Sequence, residues 1–213
     1  MKTLIFMISM AFSTILFSQE KDIKLPKPDT TGGKPLMSVL KNRSTNRNFG
    51  SEKLCLNQIS DLCWAAFGIN RCESGKRTAP SAMNWQEIDL YITMDSAIYI
   101  YDAVNHALKF LKKGDYRKWM GKQDFVKDAT LCFIYVADYT KMNGADEKDK
   151  EKYSFVDVGF ISQNVYLYCS SNNLSTVILG YIDRDAISNI LVLRKSQKVI
   201  FSQPVGNSKG EAE

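Results

Sequence analysis

Hydrophobic and polar positions alternate along this chain with two different periods. Ile59, Leu62, Cys63, Ala66 and Phe67 recur at helical spacing, with Gln58, Ser60 and Asp61 opposite. Asn57 is placed to cap that run and Gly68 to end it, which predicts an amphipathic helix with one buried side. Upstream, Pro35 begins a short helix through Leu36, Val39 and Leu40. Residues 71–77 are polar, contain Gly75 and read as a loop. Ile88, Leu90 and Ile92 then alternate with Asp89, Tyr91 and Thr93, the pattern of a half-buried strand. Further strands are expected over 97–101 and 107–111, and short helical turns over 112–127. Residues 131–137 form an unbroken apolar run, which fits a central buried strand. Mixed charges over 141–152 predict a solvated loop. Phe155, Val158, Gly159, Ile161, Ser162, Val165, Tyr166 and Cys169 mark a long helix of low charge, buried on most sides as at a subunit interface or a domain centre. A strand over 174–179 ends at Gly180, Asp183 caps a helix through Ile187 and Ile190, and 199–201 is a last strand before Pro204-Val205-Gly206. No internal repeat is evident. Helices and strands mix without strict β-α-β alternation, so the expected class is α+β.

The N-terminus stands apart from this pattern. After Met1-Lys2, residues 4–17 are apolar except for Ser9, Ser13 and Thr14, and Ser18 suits signal-peptidase cleavage. This reads as a secretory signal over 1–18, shorter than the roughly 20 apolar residues of a comfortable membrane span. No cysteine near the cleavage point favours a lipid anchor, and no twin-arginine pair is present, so export in the unfolded form to the periplasm is expected. The alternative is a retained N-terminal anchor. Residues 19–34, with Pro26, Pro28, Gly32 and Gly33, read as a linker or an extended arm, followed by one domain over 35–209 and a tail over 210–213.

The 213 residues, 45% of them hydrophobic, suffice for one domain with a real core. Net charge is +5, and removal of Lys2 with the signal leaves 27 basic residues against 23 acidic. The positive charges are dispersed rather than gathered in a stripe, which argues against nucleic-acid binding. Five cysteines form no CxxC pair. Cys63, Cys132 and Cys169 lie in apolar runs and read as small core residues, while Cys55 and Cys72 flank the first long helix as a disulfide or as free thiols. The lone His106 falls on an expected surface strand. Asp146, Glu147, Asp149 and Glu151 are interleaved with lysines, so they read as a solvated segment rather than a metal site.

Two segments carry the candidate chemistry. In Arg43-Ser44-Thr45-Asn46-Arg47-Asn48-Phe49, alternate residues of an extended chain would aim Arg43, Thr45 and Arg47 at one ligand. Guanidinium groups suit phosphate, through charge-assisted bonds about twice as strong as neutral ones. A solvated basic turn is the bland alternative. In the second segment, Pro80-Ser81 makes a turn, and Ser81, Asn84 and Gln86 offer uncharged donors and acceptors of the kind a flavin ring edge needs. An ordinary turn leading into the strand at Ile88 is the alternative there.

The order of these pieces resembles the FMN-dependent nitroreductase superfamily. Residues 43–49 are similar to its R-x-S-x-R-x-F signature, with Thr45 in the serine place. Residues 62–70 resemble its L-x-W-A-A-x-G-x-N helix end, and 77–84 its R-x-x-P-S-A-x-N turn. Residues 174–180 resemble its strand ending in glycine, and Pro204-Val205-Gly206 its P-V-G before the closing basic residues. The W-A-A-x-G-x-N form looks most like the branch containing azoline-oxidising peptide dehydrogenases. The resemblance implies a central, mostly antiparallel sheet flanked by helices, completed by dimerisation, with FMN in each of two interface sites. It implies that Arg43, Ser44, Thr45 and Arg47 hold phosphate and ribityl groups, and that Pro80, Ser81, Asn84 and Gln86 meet the ring from the partner subunit. Leu179 and Gly180 would present backbone near the reactive nitrogen, and Lys209 would be the tail's remaining cation, because Asn207-Ser208 stands where the family has further basic residues. Hydride or electrons would pass between a small nitro, quinone or similar substrate and the flavin, with NAD(P)H as a donor. Export sits awkwardly with a cytoplasmic nicotinamide donor, so an exported enzyme needs another donor or oxidises its substrate directly. A non-catalytic flavin-binding protein and a structural dimer without flavin are the competing readings.

Overall fold

A computed structural model describes residues 21–209; the expected signal and the final four residues lie outside them. The elements in chain order are β1 (Ile23–Lys24), α1 (Leu36–Asn42), α2 (Leu56–Phe67), β2 (Ile69–Arg71), β3 (Lys76–Arg77), β4 (Ile88–Met94), β5 (Ala97–Asp102), β6 (Ala107–Lys113), β7 (Leu131–Asp138), α3 (Glu147–Ser171), β8 (Leu174–Thr176), α4 (Arg184–Leu191) and β9 (Gln197–Asn207). Seven strands form one sheet in the order β1-β6-β5-β4-β7-β9-β8, antiparallel at every pairing. This is the α+β class and the helix-flanked antiparallel sheet that the sequence leads one to expect.

The apolar run of β7 explains the layering. All eight of its residues are buried, and strand geometry sends successive side chains to opposite faces. Leu131, Phe133, Tyr135 and Ala137 join α2 and α3 in one core, with Leu62, Phe67, Val158, Ile161 and Val165. Cys132, Ile134 and Val136 join a second core with Met120, Val126, Leu179, Ile187 and Leu191 from the 3-10 turns, the 177–182 stretch and α4. The sheet is therefore covered on both faces. That corrects the reading of β4 as half-buried: Tyr91 and Thr93 on its second face are buried as well.

Other boundaries also differ. α2 is capped at Cys55 rather than Asn57, with Gln58 Oε1 accepting from the Cys55 N–H at 2.9 Å. α3 begins at Glu147, inside the stretch read as a loop, because Asp146 caps it by accepting from the Asp149 N–H at 2.8 Å. Lys150–Glu147 (2.9 Å) and Lys152–Asp149 (3.2 Å) then pair along its first turns, so the mixed charges are a solvated helix face. Residues 71–77 supply parts of a small β2–β3 hairpin instead of an unstructured loop. β8 stops at Thr176, and Leu179 returns to the sheet only through a bridge to Ser202. β9 runs through Pro204-Val205-Gly206. Proline is tolerated there because Pro204 lies one position past the end of β8's pairing, which is effectively an edge. The Asp183 cap on α4 is as expected, accepting from Ala186 at 3.0 Å.

Within the segment read as a linker or extended arm, Ile23 and Lys24 pair with Leu108 and Ala107 of β6, and Leu25 is buried. His106 is not on a strand. It sits in the β5–β6 turn at φ +47°, between Ser60 Oγ (2.6 Å) and the Tyr101 hydroxyl (2.9 Å), and burial holds its pKa below the usual value. Cys63, Cys132 and Cys169 are buried, and burial pushes their thiols upward, as suits small core residues; Cys55 and Cys72 are exposed free thiols. No helix among the described residues is long and apolar enough to cross a membrane.

Candidate functional site

The first segment leaves α1 as extended chain. The Arg43 N–H closes the helix on the Val39 carbonyl at 2.8 Å, and ψ of 120° at Arg43 straightens the chain beyond it. Backbone bonds then fasten it: Asn46 N–H to the Thr176 carbonyl (3.1 Å), Gly50 N–H to the Asn207 carbonyl (2.8 Å), and Lys209 N–H to the Asn48 carbonyl (3.2 Å). The Ser175 hydroxyl also donates to the Asn48 carbonyl at 2.8 Å. The segment is thereby held against β8 and the end of β9, and its side chains are left available.

Tyr166 of α3 is the hub beneath it. The Arg43 guanidinium lies 5.3 Å above its ring, Thr45 Oγ1 is 3.2 Å from its hydroxyl, and the Ile178 N–H donates to that hydroxyl at 3.0 Å. Next along the chain, Leu179 exchanges hydrogen bonds with Ser202 (2.8 and 3.2 Å), and Gly180 is exposed. A Cβ at Gly180 would come within 3.2 Å of the Phe201 ring. Ser44 lines a polar cavity of about 260 Å³ with Lys34, Asn46, Tyr166 and Ser208. The structure thus brings Arg43, Thr45 and Ile178 to Tyr166, sets Lys209 beside Asn48 at the end of β9, and places Leu179 and Gly180 farther along β9 at Ser202 and Phe201. Arg43, Arg47 and Lys209 enter no ion pair among the described residues. Uncompensated guanidinium groups beside an aromatic hub suit an anionic group such as phosphate.

The second segment is built differently. Ser81 precedes a short 3-10 turn over Ala82–Asn84, and its hydroxyl accepts from the Gln86 N–H at 2.8 Å. Met83, Asn84 and Gln86 all have positive φ, of 49°, 55° and 48°. Such a run of left-handed non-glycine residues needs external support. Arg77 supplies part of it: stacked 4.4 Å over Phe67, it donates to the Phe67 carbonyl (2.8 Å) and to Gln86 Oε1 (2.7 Å). Gln86 donates in turn to the Gly75 carbonyl (3.1 Å) and Asn84 Oδ1 (3.2 Å), so its amide is a strut of the turn. Asp157 of α3 accepts from the Ala82 N–H at 2.9 Å. Pro80, Met83 and Asn84 remain on the surface.

The two segments do not meet within one chain. One rests on Tyr166 and the other on Asp157, nine residues apart on the same helix, or about 14 Å along its axis. No hydrogen bond among the described residues joins them. Sequence reasoning did not single out Tyr166, Arg77 or Asp157. Arg77 had a visible signal as the first residue of its motif, whereas Tyr166 and Asp157 become legible only when α3 is laid against both segments. Of the aromatic and sulfur side chains over 103–128, Met120 is core, while Trp119 is exposed beneath Lys118. Among the described residues, no group of three or more His, Cys, Asp or Glu is placed to hold a metal ion.

Comparison with known proteins matches the nitroreductase family model over residues 40–207. The chain belongs to the nitroreductase family. A crystal structure assigned as a nitroreductase from Ralstonia eutropha is 37% identical and superimposes with a TM-score of 0.86, covering 91% of this chain and 92% of that one. A Methanocaldococcus jannaschii protein assigned as a nitroreductase is 26% identical over 181 residues, 80% of this chain and 90% of the relative. The NADPH:FMN oxidoreductase of Vibrio harveyi, solved with NAD+, shares the fold at a TM-score of 0.63 and 18% identity, over 84% of this chain and 70% of that one. Membership of this family supports a flavin-dependent oxidoreductase.

Proposed function

We propose that the protein binds FMN at an interface between two copies of itself and transfers hydride or electrons between a small organic molecule and that flavin. The observation that carries this reading is the separation of the two segments. The cluster around Tyr166 offers unpaired cations and hydroxyls but few ring-edge partners, while the 80–86 turn offers uncharged amides without cations. Each is half of a flavin site. Two apolar surfaces make room for a second copy: Leu36, Met37 and Leu40 on α1, and Phe155, Val156 and Phe160 on the outward side of α3, all exposed in the single chain.

The residues fit FMN. Arg43, Arg47 and Lys209, without an ion pair among the described residues, would hold its phosphate, with Ser44 and Thr45 toward the ribityl chain. Pro80, Ser81 and Asn84 of the turn would meet the ring, with Gln86 stiffening the turn. Side-chain-free Gly180, beside the tightly bridged Leu179, leaves an open backbone approach. Bound FMN supplies the redox chemistry. The chain binds the anionic end, orients the ring and keeps one face open, and no protein nucleophile is needed. NAD(P)H is the donor if the protein works in the cytoplasm. Export through the 1–18 signal would instead call for a periplasmic donor, or for direct oxidation of the substrate.

Titrating purified protein with FMN tests the reading. Flavin absorbance retained after desalting and lost in Arg43→Ala/Arg47→Ala supports it; wild-type protein that stays a folded, colourless dimer refutes it. Intact mass of protein made in a secreting host, starting at Gln19 or at Met1, decides the location.

A further inference from the structure

The first residue of β4 is preceded by a buried acid that the flavin reading does not use. Glu87 is fully buried, directly after the left-handed run of the 80–86 turn. Beyond its own amide, no N–H or hydroxyl among the described residues satisfies either of its carboxyl oxygens. The group within hydrogen-bonding reach is another buried acid, Asp157, whose Oδ2 accepts the Ala82 N–H at 2.9 Å. Two carboxylates cannot hydrogen-bond to each other, so contact inside the protein requires a proton between them.

The surrounding charges do not remove that requirement. From the turn after β7, Lys141 reaches the Gln86 carbonyl (3.4 Å) but spends its charge on Asp89 at 2.6 Å. Asp138 donates its N–H to the Glu87 carbonyl and turns its carboxylate to Arg194 at 2.5 Å. Tyr139, the remaining titratable neighbour, feels the Glu87 charge only as a repulsion. From α3, Asp157 is the facing group.

We propose that Glu87 and Asp157 share one proton, and that this protonated pair is the latch that fixes the 80–86 turn, with Asp157 as its positioning residue. With the proton in place, Glu87 donates to one Asp157 oxygen and the other holds Ala82. Loss of the proton to water breaks the Glu87 O–H bond, leaves two buried negative charges face to face, and frees Asp157 to move from Ala82. Burial first, and the Asp157 charge after it, push the Glu87 carboxyl up to about 7. Its folded value lies above the ordinary carboxylate value, so its contribution is fully present below about 4.5, falls as pH rises toward 7, and is gone above 7. The latch is therefore closed in acid and opens as pH passes 7.

This inference rests on the proposed function only for the turn's meeting with flavin, and its main test needs no flavin. Hydrogen exchange of the Ala82 amide is measured in the flavin-free protein from pH 5.5 to 8.5 and expressed as protection relative to the unstructured rate. Wild-type protection is expected to fall about tenfold per pH unit as pH rises toward 7 and to level off above it. Glu87→Gln, whose amide donates to Asp157 at every pH, is expected to hold protection constant. Equal, flat profiles in both proteins would overturn the proposal, as would carboxyl-carbon resonances showing both acids titrating near 4. Where FMN binds, wild-type affinity should weaken above pH 7 and that of Glu87→Gln should not. A protein that binds no FMN yet keeps the exchange profile defeats the flavin reading and leaves the latch intact.

Discussion

The two halves of the candidate site are held in opposite ways. Residues 43–50 are fastened by main-chain bonds to Thr176, Asn207 and Lys209, so the side chains of Arg43 and Arg47 are free to serve a ligand. Residues 80–86 are fastened by side chains, with Arg77, Ser81, Gln86 and Asp157 holding a backbone that carries three left-handed residues. The difference teaches where function and stability separate. In the first half, side chains can be removed at the cost of binding alone. In the second, removing a side chain releases the shape itself.

The largest effect should come from the first half. Arg43→Ala/Arg47→Ala removes two charge-assisted contacts at about 1.5–3 kcal/mol each, weakening FMN binding by roughly a hundredfold or more in a fluorescence titration. Its melting temperature should fall by only a few degrees, since Arg47 is exposed and Arg43 loses one partly exposed stack on Tyr166 worth about 0.5–1 kcal/mol. Arg77→Ala should show the reverse order. Loss of the Phe67 stack and two hydrogen bonds should lower unfolding free energy by about 2–4 kcal/mol in urea titrations, with weakened FMN binding as a consequence. Equal stability losses in the two variants would erase the contrast between the halves.

Smaller effects sharpen it. Tyr166→Phe strands the Ile178 N–H and removes the partner of Thr45, costing about 1 kcal/mol of stability because a part-buried donor is left unmet. Met83→Gly relieves an exposed side chain at φ +49° and should raise stability by about 0.5–1 kcal/mol, visible as a small rise in melting temperature. A fall on Met83→Gly would mean that the turn is not strained.

Much of the fold could be read from the chain because burial leaves periodic traces. The unbroken run of β7 and the Asp183 cap of α4 are local signals, and the structure keeps both. The start of α3 was hidden because its first turns face solvent, and a charged helix face has the composition of a loop until the Asp146 cap is recognised. The course of β9 through Pro204 was hidden because tolerance of proline there depends on where a neighbouring strand stops. At the site, the arginines and the Pro-Ser turn announced themselves by residue type. Tyr166, Asp157 and Glu87 did not, since each matters through the contacts that α3 and β4 bring to it rather than through its neighbours in sequence.

The central claim is that each site is shared between subunits. A heterodimer purified through two different tags, one subunit carrying Arg43→Ala/Arg47→Ala and the other Ser81→Ala/Asn84→Ala, contains one site with every defect and one with none, if each site draws its halves from different chains. FMN stoichiometry on that heterodimer should be about one per dimer, while either homodimer retains little. A heterodimer that binds no more FMN than the two homodimers would contradict the claim, because each half-site would then belong to a pocket built within a single chain.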